Sequence, residues 1–103
     1  ATPKDGPSAG VSITTSLLSL LLNKPISKEI AMTGEIGLNG EILEVGGIKE
    51  KIIGAYNKGI KTIFIPNNNL KNLEEIPKDI LNKLTIHGVS DYKEIFEKLF
   101  LIE

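Results

Sequence analysis

The chain has 103 residues, a formal net charge of −1 and no cysteine, and 41% of its residues are hydrophobic. This length suits one small core and not two. The absence of cysteine excludes a disulfide scaffold, a thiol nucleophile and a thiolate metal site. The near-neutral charge gives no reason to expect nucleic acid or an anionic membrane as a partner.

The first predicted elements are an irregular segment and a helix. Residues 1–7 contain two prolines and a glycine, which favour a turn. Over residues 8–23, apolar residues recur at intervals of three and four, which predicts a helix that ends before Pro25. Its apolar part is far shorter than the roughly 20 residues that a membrane-spanning helix needs.

Alternating apolar and polar residues then predict a β-hairpin. Residues 30–38 alternate as a half-buried strand does, with Gly34 inside the strand. Asn39-Gly40 joins this strand to a second one over residues 41–45, and Asn-Gly between alternating runs is a strong hairpin signal.

The remainder of the chain alternates helices with short strands. Gly46-Gly47 precedes a helix that Gly59 ends, and Asp91 followed by Glu94 predicts the cap of a last helix. That helix would face inward through Ile95, Leu99 and Ile102. The elements between these helices are strands over residues 61–65 and 84–89, with helical turns over residues 67–83 interrupted by Pro77. This order predicts an α+β fold of α/β layers: a mixed sheet with a hairpin, parallel crossovers and flanking helices.

Ser8 is the first candidate for chemistry. It lies in the tight turn Pro3-Lys4-Asp5-Gly6-Pro7-Ser8-Ala9-Gly10, which leads into the first helix. The first N–H groups of a helix can hold an oxyanion, and Pro7 has none, so Ser8 and Ala9 are the backbone candidates in this chain. The competing interpretation is that Ser8 only caps the helix.

The same turn matches the pattern G-x-S-x-G, and Ser8, Asp79 and His87 follow the chain order of an α/β-hydrolase triad. A nucleophile elbow needs a strand that leads directly into the serine, which residues 1–7 do not provide. His87 is the chain's only histidine and lies inside a predicted strand, where the competing interpretation is a structural or surface residue.

Two lysines in the first turn of a helix form the second candidate. In Gly46-Gly47-Ile48-Lys49-Glu50-Lys51, the positive end of the helix disfavours an ammonium group, and partial burial acts in the same direction. Such an amine can accept a proton. The alternative is a pair of solvated surface lysines, and periodicity does not choose between Lys49 and Lys51. With one histidine and no cysteine, we find no metal-ligand spacing, and the chain contains no P-loop motif.

Together these motifs resemble the proteolytic domain of the ATP-dependent Lon proteases of the A type. The segment from Pro3 to Gly10 resembles that family's nucleophile motif, and Met32-Thr33-Gly34-Glu35 and Gly46-Gly47-Ile48-Lys49-Glu50-Lys51 resemble its two later motifs. The resemblance implies the fold of that domain, which is similar to domain 2 of ribosomal protein S5. It also implies a serine endopeptidase with a serine–lysine dyad, in which Ser8 is the nucleophile and Lys51 the general base.

The resemblance assigns supporting roles to three further residues. Thr33 would orient the lysine amine, Asp5 would take part in gating the site, and Glu35 would lie near it. No cofactor would bind this chain, because ATP and magnesium belong to the ATPase module of such proteins. The expected partners are misfolded, unfolded and regulatory proteins as substrates, and other copies in a homo-hexamer, with no nucleic acid or membrane.

Family domains are about twice this length, so we expect residues 1–103 to be the C-terminal portion of one, without its first half and without the ATPase module. The expected location is the bacterial cytoplasm, with the mitochondrial matrix as the alternative. An inert folding or assembly fragment with an uncatalytic dyad is the alternative function, because a missing half would leave sheet edges and apolar surface uncovered.

Overall fold

A computed structural model describes residues 10–101 of the chain. The helices are α1 (Gly10–Leu22), α2 (Ile48–Asn57), α3 (Lys78–Leu81) and α4 (Tyr92–Phe100), and a 3-10 helix spans Asn67–Glu75. The strands are β1 (Ile30–Met32), β2 (Glu35–Ile36), β3 (Ile42–Leu43), β4 (Thr62–Pro66) and β5 (Thr85–Val89). The predicted layers of strands and flanking helices are confirmed.

The parallel crossovers are present as predicted. Strands β1, β4 and β5 form a parallel sheet in that order, with Ile30 opposite Thr62 and Thr62 opposite Thr85. Parallel pairing requires long crossover connections, and each of the two contains helical structure: α2 between β1 and β4, and the 3-10 helix with α3 between β4 and β5. In the described part of the chain, β1 and β5 are therefore the edges of this sheet.

The described residues form two hydrophobic cores on opposite faces of the parallel sheet, where the chain length alone predicts one, because helices cover both faces. Side chains alternate along β4, so Phe64 belongs to one core while Ile63 and Ile65 belong to the other. The first core also contains Val11 of α1 and Ile95 of α4. The second contains Ile48 and Ile52 of α2, together with Ile76. Helix α2 is therefore held on the face opposite to α1 and α4.

The prediction of one continuous strand over residues 30–38 is wrong. This segment forms β1 of the parallel sheet and then β2, which pairs with β3 in a separate antiparallel ladder. The break is at Gly34, whose φ of 144° is unfavourable for any other residue. A Cβ atom there would lie 2.9 Å from Ile42 Cγ2 and 3.0 Å from Val11 Cγ2. The close approach of α1 and β3 thus leaves no room for a side chain at the position where the chain passes from one ladder to the other.

The hairpin is confirmed, but its loop has three residues and not the two predicted. The N–H of Gly37 donates to the carbonyl of Glu41 at 2.8 Å, and the N–H of Gly40 donates to the carbonyl of Gly37 at 3.1 Å. Gly40 has a φ of 86°. This pattern is a type I turn followed by a left-handed glycine, the usual geometry of a three-residue hairpin.

Both predicted helix boundaries are confirmed. At the end of α2, Ile60 N–H donates to the carbonyl of Ala55 and Gly59 N–H to that of Tyr56, with Gly59 at a φ of 88°. These two bonds define a Schellman motif. At the start of α4, the Asp91 side chain accepts from Lys93 N–H at 2.8 Å.

Helix α4 faces the core as predicted in its described part. Ile95 is buried, and Leu99 packs against the first core, whereas Ile102 lies outside the described residues. Glu94 reaches back to the N–H of Ser90, one residue earlier than in a standard capping box.

Candidate functional site

Of the two candidate lysines, Lys51 is the more buried. Helix α2 starts after Gly47, which has left-handed geometry, and Lys51 lies in its first turn with a half-buried side chain. Its Nζ donates to the carbonyl of Gly46 at 3.3 Å. Lys49 is exposed and lines a different hollow, beside Glu44 and Glu75. The structure therefore separates two lysines that helical periodicity leaves equivalent.

Thr33 and Lys51 line the same cavity, which has a volume of about 280 Å³. Thr33 follows β1 directly, is 7% exposed, and donates its N–H to the carbonyl of Phe64 at 3.0 Å. Ser12, in the first turn of α1, lines the cavity as well. The remaining lining is apolar and consists of Ala31, Met32, Ile52, Ala55 and Ile63. The cavity thus brings Lys51, Thr33 and Ser12 together at the β1 edge of the parallel sheet.

The start of α1 is tied to the strand junction beside this cavity. The N–H of Val11 donates to the carbonyl of Gly34 at 2.9 Å, and the Val11 side chain is fully buried. Gly34 in turn follows Thr33. The first turn of α1 and the threonine are therefore fixed relative to each other through one backbone bond.

Three predicted site residues lie outside the described residues. They are Asp5, Ser8 and Ala9, and their predicted roles as gating residue, nucleophile and oxyanion donor remain predictions. Glu35 is described: it is exposed, it begins β2, and it is not among the residues that line the cavity.

His87 lies away from this cavity. It belongs to β5, which β4 separates from β1, and its ring stacks on Phe64 with 5.0 Å between the ring centroids. Burial lowers the pKa of His87 below its usual value of 6.5, and the nearby charge of Lys98 lowers it further. These contacts are those of a structural residue, as the competing interpretation predicts.

Sequence reasoning missed Asn69. Its side chain is 1% exposed and makes three hydrogen bonds, two of them to the backbone of Val45, just before Gly46-Gly47. The polar run of residues 67–69 predicts only turns, and nothing in its pattern marks one asparagine as buried.

The described residues contain no group of three or more histidine, cysteine or acidic side chains that could hold a metal ion. Among the same residues, no helix is both long and apolar enough to cross a bilayer.

Comparison with known proteins gives a family for the chain. The family model described as "Lon protease (S16) C-terminal proteolytic domain" matches residues 1–102. The chain belongs to this Lon family. It is 56% identical over 100 residues to the Lon protease of Mycoplasmopsis agalactiae. The aligned residues are 97% of the chain and 10% of that relative.

Further relatives come from bacteria and from eukaryotes. The Lon protease of Aster yellows witches'-broom phytoplasma is 52% identical over 99% of the chain, which spans 13% of that protein. A mitochondrial Lon protease homolog of Ostreococcus lucimarinus is 53% identical over 95% of the chain, which spans 10% of it. The chain thus corresponds to about a tenth of the length of these Lon relatives.

Proposed function

We propose that this chain carries the serine–lysine dyad of a Lon-type protease and hydrolyses peptide bonds. The observation that supports this most strongly is the shared cavity of Lys51, Thr33 and Ser12. In the sequence, Ser12 follows Ser8 by four residues, and the intervening Val11 is bonded to Gly34 beside Thr33. The second and third motifs of the resemblance therefore share one hollow with Ser12, which follows Ser8 by four residues in the sequence.

The proposed reaction proceeds through an acyl-enzyme. Lys51 Nζ, as a neutral amine, takes the proton of Ser8 Oγ while this oxygen attacks the peptide carbonyl carbon. Backbone N–H groups of Ser8 and Ala9 are the proposed donors to the oxyanion. The Lys51 ammonium then returns its proton to the leaving amine, which breaks the C–N bond. In the second half, Lys51 deprotonates a water molecule, whose oxygen attacks the ester carbonyl carbon; the ester C–O bond breaks, and the Lys51 ammonium returns the proton to Ser8 Oγ.

Supporting roles are proposed for three other residues. Thr33 orients the Lys51 amine, which is consistent with its burial and its place in the same cavity lining. Asp5 gates the site, and Glu35 lies near it at the start of β2. We also propose that the fold is of the type seen in domain 2 of ribosomal protein S5.

The remaining proposals concern the whole protein. The chain is proposed to be the C-terminal portion of a proteolytic domain in an ATP-dependent, hexameric protease that degrades misfolded and regulatory proteins. ATP and magnesium would act in a separate ATPase module. The relatives include bacterial and mitochondrial proteins, and we propose the bacterial cytoplasm.

The test is a peptidase assay with an unstructured fluorogenic peptide. The substitutions are Ser8→Ala and Lys51→Ala, with Lys49→Ala as the matched control on the same helix turn. We expect both dyad variants to lose about 100-fold or more in rate, the scale of general-base catalysis, and Lys49→Ala to keep its rate. Equal rates in all variants would exclude hydrolysis by this dyad.

The same assay separates the two alternatives. A chain that is folded but hydrolyses nothing would support an inert folding or assembly fragment. Loss of activity in His87→Asn, with Lys51→Ala unaffected, would instead support the α/β-hydrolase alternative with Ser8, Asp79 and His87. The stacking of His87 on Phe64, on a strand that β4 separates from β1, leads us not to expect the second of these results.

A further inference from the structure

The buried amide of Asn69 pairs with the backbone of Val45 as a neighbouring strand would. Its Oδ1 accepts from Val45 N–H at 3.0 Å, and its Nδ2 donates to the Val45 carbonyl at 2.8 Å. The second hydrogen of Nδ2 goes to Asn72 Oδ1, also at 2.8 Å. Both amide hydrogens and the amide oxygen are thus used, so the orientation of the side chain is fully determined.

The segment that Asn69 holds is the one that contacts the Lys51 amine. Val45 precedes Gly46, whose carbonyl accepts from Lys51 Nζ at 3.3 Å. Gly47 follows, and its carbonyl accepts from the backbone N–H of Lys51 at 3.0 Å. Both ends of the lysine, its amide and its amine, are therefore bonded to the two residues directly after Val45.

This glycine pair has little conformational restraint of its own. A Cβ atom on Gly46 would meet nothing within 4 Å, and Gly47 has a φ of 71°. Since glycine has wide conformational freedom, the path of the pair must be set by contacts on either side. On the far side this is α2, and on the near side it is Val45 with Asn69.

A second side-chain tie to this segment, also within residues 10–101, is weaker. Lys71 pairs with Glu44 at 3.3 Å, but the two side chains are 66% and 47% exposed. Solvated pairs of this kind contribute little, because water and salt screen them. Asn69 is therefore the principal restraint from the 3-10 helix on the segment before Lys51.

We propose that Asn69 is a positioning residue for Lys51, and this rests on the proposed role of Lys51 as the general base. Its amide fixes Val45, and through Val45 it fixes the carbonyl of Gly46, to which Nζ donates in an exposed hydrogen bond of 3.3 Å. The site is thus built on the 3-10 helix as well as on α2. A purely structural role for Asn69 would stabilise the fold without affecting the environment of the lysine amine.

The main variant is Asn69→Asp, with Asn68→Asp as the matched control. Aspartate has the same shape and can still accept from Val45 N–H, but it places an acceptor against the Val45 carbonyl in place of a donor. Asn68 lies on the same 3-10 helix and is exposed, so its substitution makes the same charge change without touching Val45.

Two measurements report on the lysine and on catalysis. NMR spectra of the chain give the Cε and Nζ signals of Lys51 and the amide signals of Gly46 and Gly47. Peptide hydrolysis gives kcat and KM separately. For Asn69→Asp we expect shifts in all these signals and a loss of about 10-fold to 100-fold in kcat, because small misplacements of a catalytic group are costly, with KM within about twofold. Asn68→Asp should leave the signals and both kinetic constants unchanged.

A second variant, Asn72→Ala, keeps the test decisive if Asn69→Asp fails to fold. It removes only the third partner of the Asn69 amide, on a side chain that is partly exposed, and we expect smaller shifts of the same Lys51 signals. Folded variants with unchanged Lys51 signals would overturn the positioning role. If the unsubstituted chain hydrolyses nothing, the proposed function fails, while the Lys51 signals still decide the role of Asn69.

Discussion

At the scale of single residues, one hydrogen bond joins the two helices that flank the first core. Tyr92 of α4 and Thr15 of α1 are 2.6 Å apart at their hydroxyl oxygens, and Thr15 also donates to the Val11 carbonyl at 2.9 Å. Because the threonine hydroxyl has one hydrogen, Tyr92 is the donor in the pair. Burial raises the pKa of Tyr92.

Removing this bond should destabilise the fold modestly. We expect Tyr92→Phe to lower the free energy of unfolding by about 1 kcal/mol, since Thr15 keeps its bond to Val11 and only one buried pair is lost. Urea denaturation measures the change, and Tyr56→Phe on α2 is the matched control. A double-mutant cycle with Thr15→Val should show coupling between the two positions; strictly additive effects would contradict the pairing.

His87 should make the stability of the chain depend on pH. Its pKa in the folded chain lies below 6.5, so below about pH 6.5 the unfolded chain binds more protons than the folded chain. The stability contributed by neutral His87 is present above that pH, and it is lost as the pH falls through the folded pKa.

The variant His87→Phe keeps a ring to stack on Phe64 and has no proton to bind. We expect the loss of stability between pH 7.5 and pH 5.5, measured by urea denaturation, to be smaller in this variant than in the unsubstituted chain. Lys98→Gln should also reduce the loss, because it removes the charge that opposes protonation of His87. Identical pH profiles for all three proteins would show that His87 does not titrate differently on folding.

At this scale, some site residues could be predicted from the sequence alone and others could not. The resemblance implies that Lys51 and Thr33 are partners, and both residues line one cavity. Without the resemblance, the choice of Lys51 over Lys49 depends on how buried each side chain is. The sequence does not show this, because both lysines lie in the same helix turn. Asn69 could not be predicted, because its partner is the backbone of a residue 24 positions away.

At the scale of elements, Gly34 is the joint between α1, β1 and β3. The glycine allows Val11 and Ile42 to approach the backbone closely, and its carbonyl receives the first hydrogen bond from α1. The alternation of apolar and polar residues continues through residues 30–38. It therefore does not show that the chain passes from one sheet to another at Gly34. The turn chemistry of Gly59 and Asp91, in contrast, is local, and both boundaries were predictable.

A methyl group at this joint should be costly. We expect Gly34→Ala to lower the free energy of unfolding by about 1–3 kcal/mol, because it adds both steric overlap and an unfavourable φ. The matched control is Gly54→Ala within α2, where a Cβ atom meets nothing within 4 Å. This control should stabilise the chain by about 0.5–1 kcal/mol, so a glycine-to-alanine substitution should change the free energy of unfolding in opposite directions at the two sites. Thermal and urea denaturation of both variants measure these changes. An unchanged free energy of unfolding in Gly34→Ala would show that the backbone at this glycine can relax.

At the scale of the whole molecule, α1 has one buried side and one apolar side that the described residues do not cover. Val11 and Thr15 are buried, whereas Leu20 and Leu21 are 79% and 80% exposed. Ile13 and Leu17 extend the same exposed side, and the helix contains no charged residue. Periodicity predicted the helix itself, but it could not tell which side of an uncharged helix with leucines, serines and threonines would meet the sheet.

This exposed face should cause the chain to self-associate. Apolar patches of several adjacent large side chains favour contact between copies, and here no charge on the helix opposes it. We expect sedimentation-velocity measurements on the chain to show association that increases with concentration, and the double variant Leu20→Lys/Leu21→Lys to weaken it about tenfold or more, since burying a leucine contributes about 1.5–3 kcal/mol. The control is Leu38→Lys in the hairpin loop, where a single fully exposed leucine is replaced. A chain that stays monomeric at all concentrations, or a control that weakens association equally, would show that the α1 face is not the surface responsible.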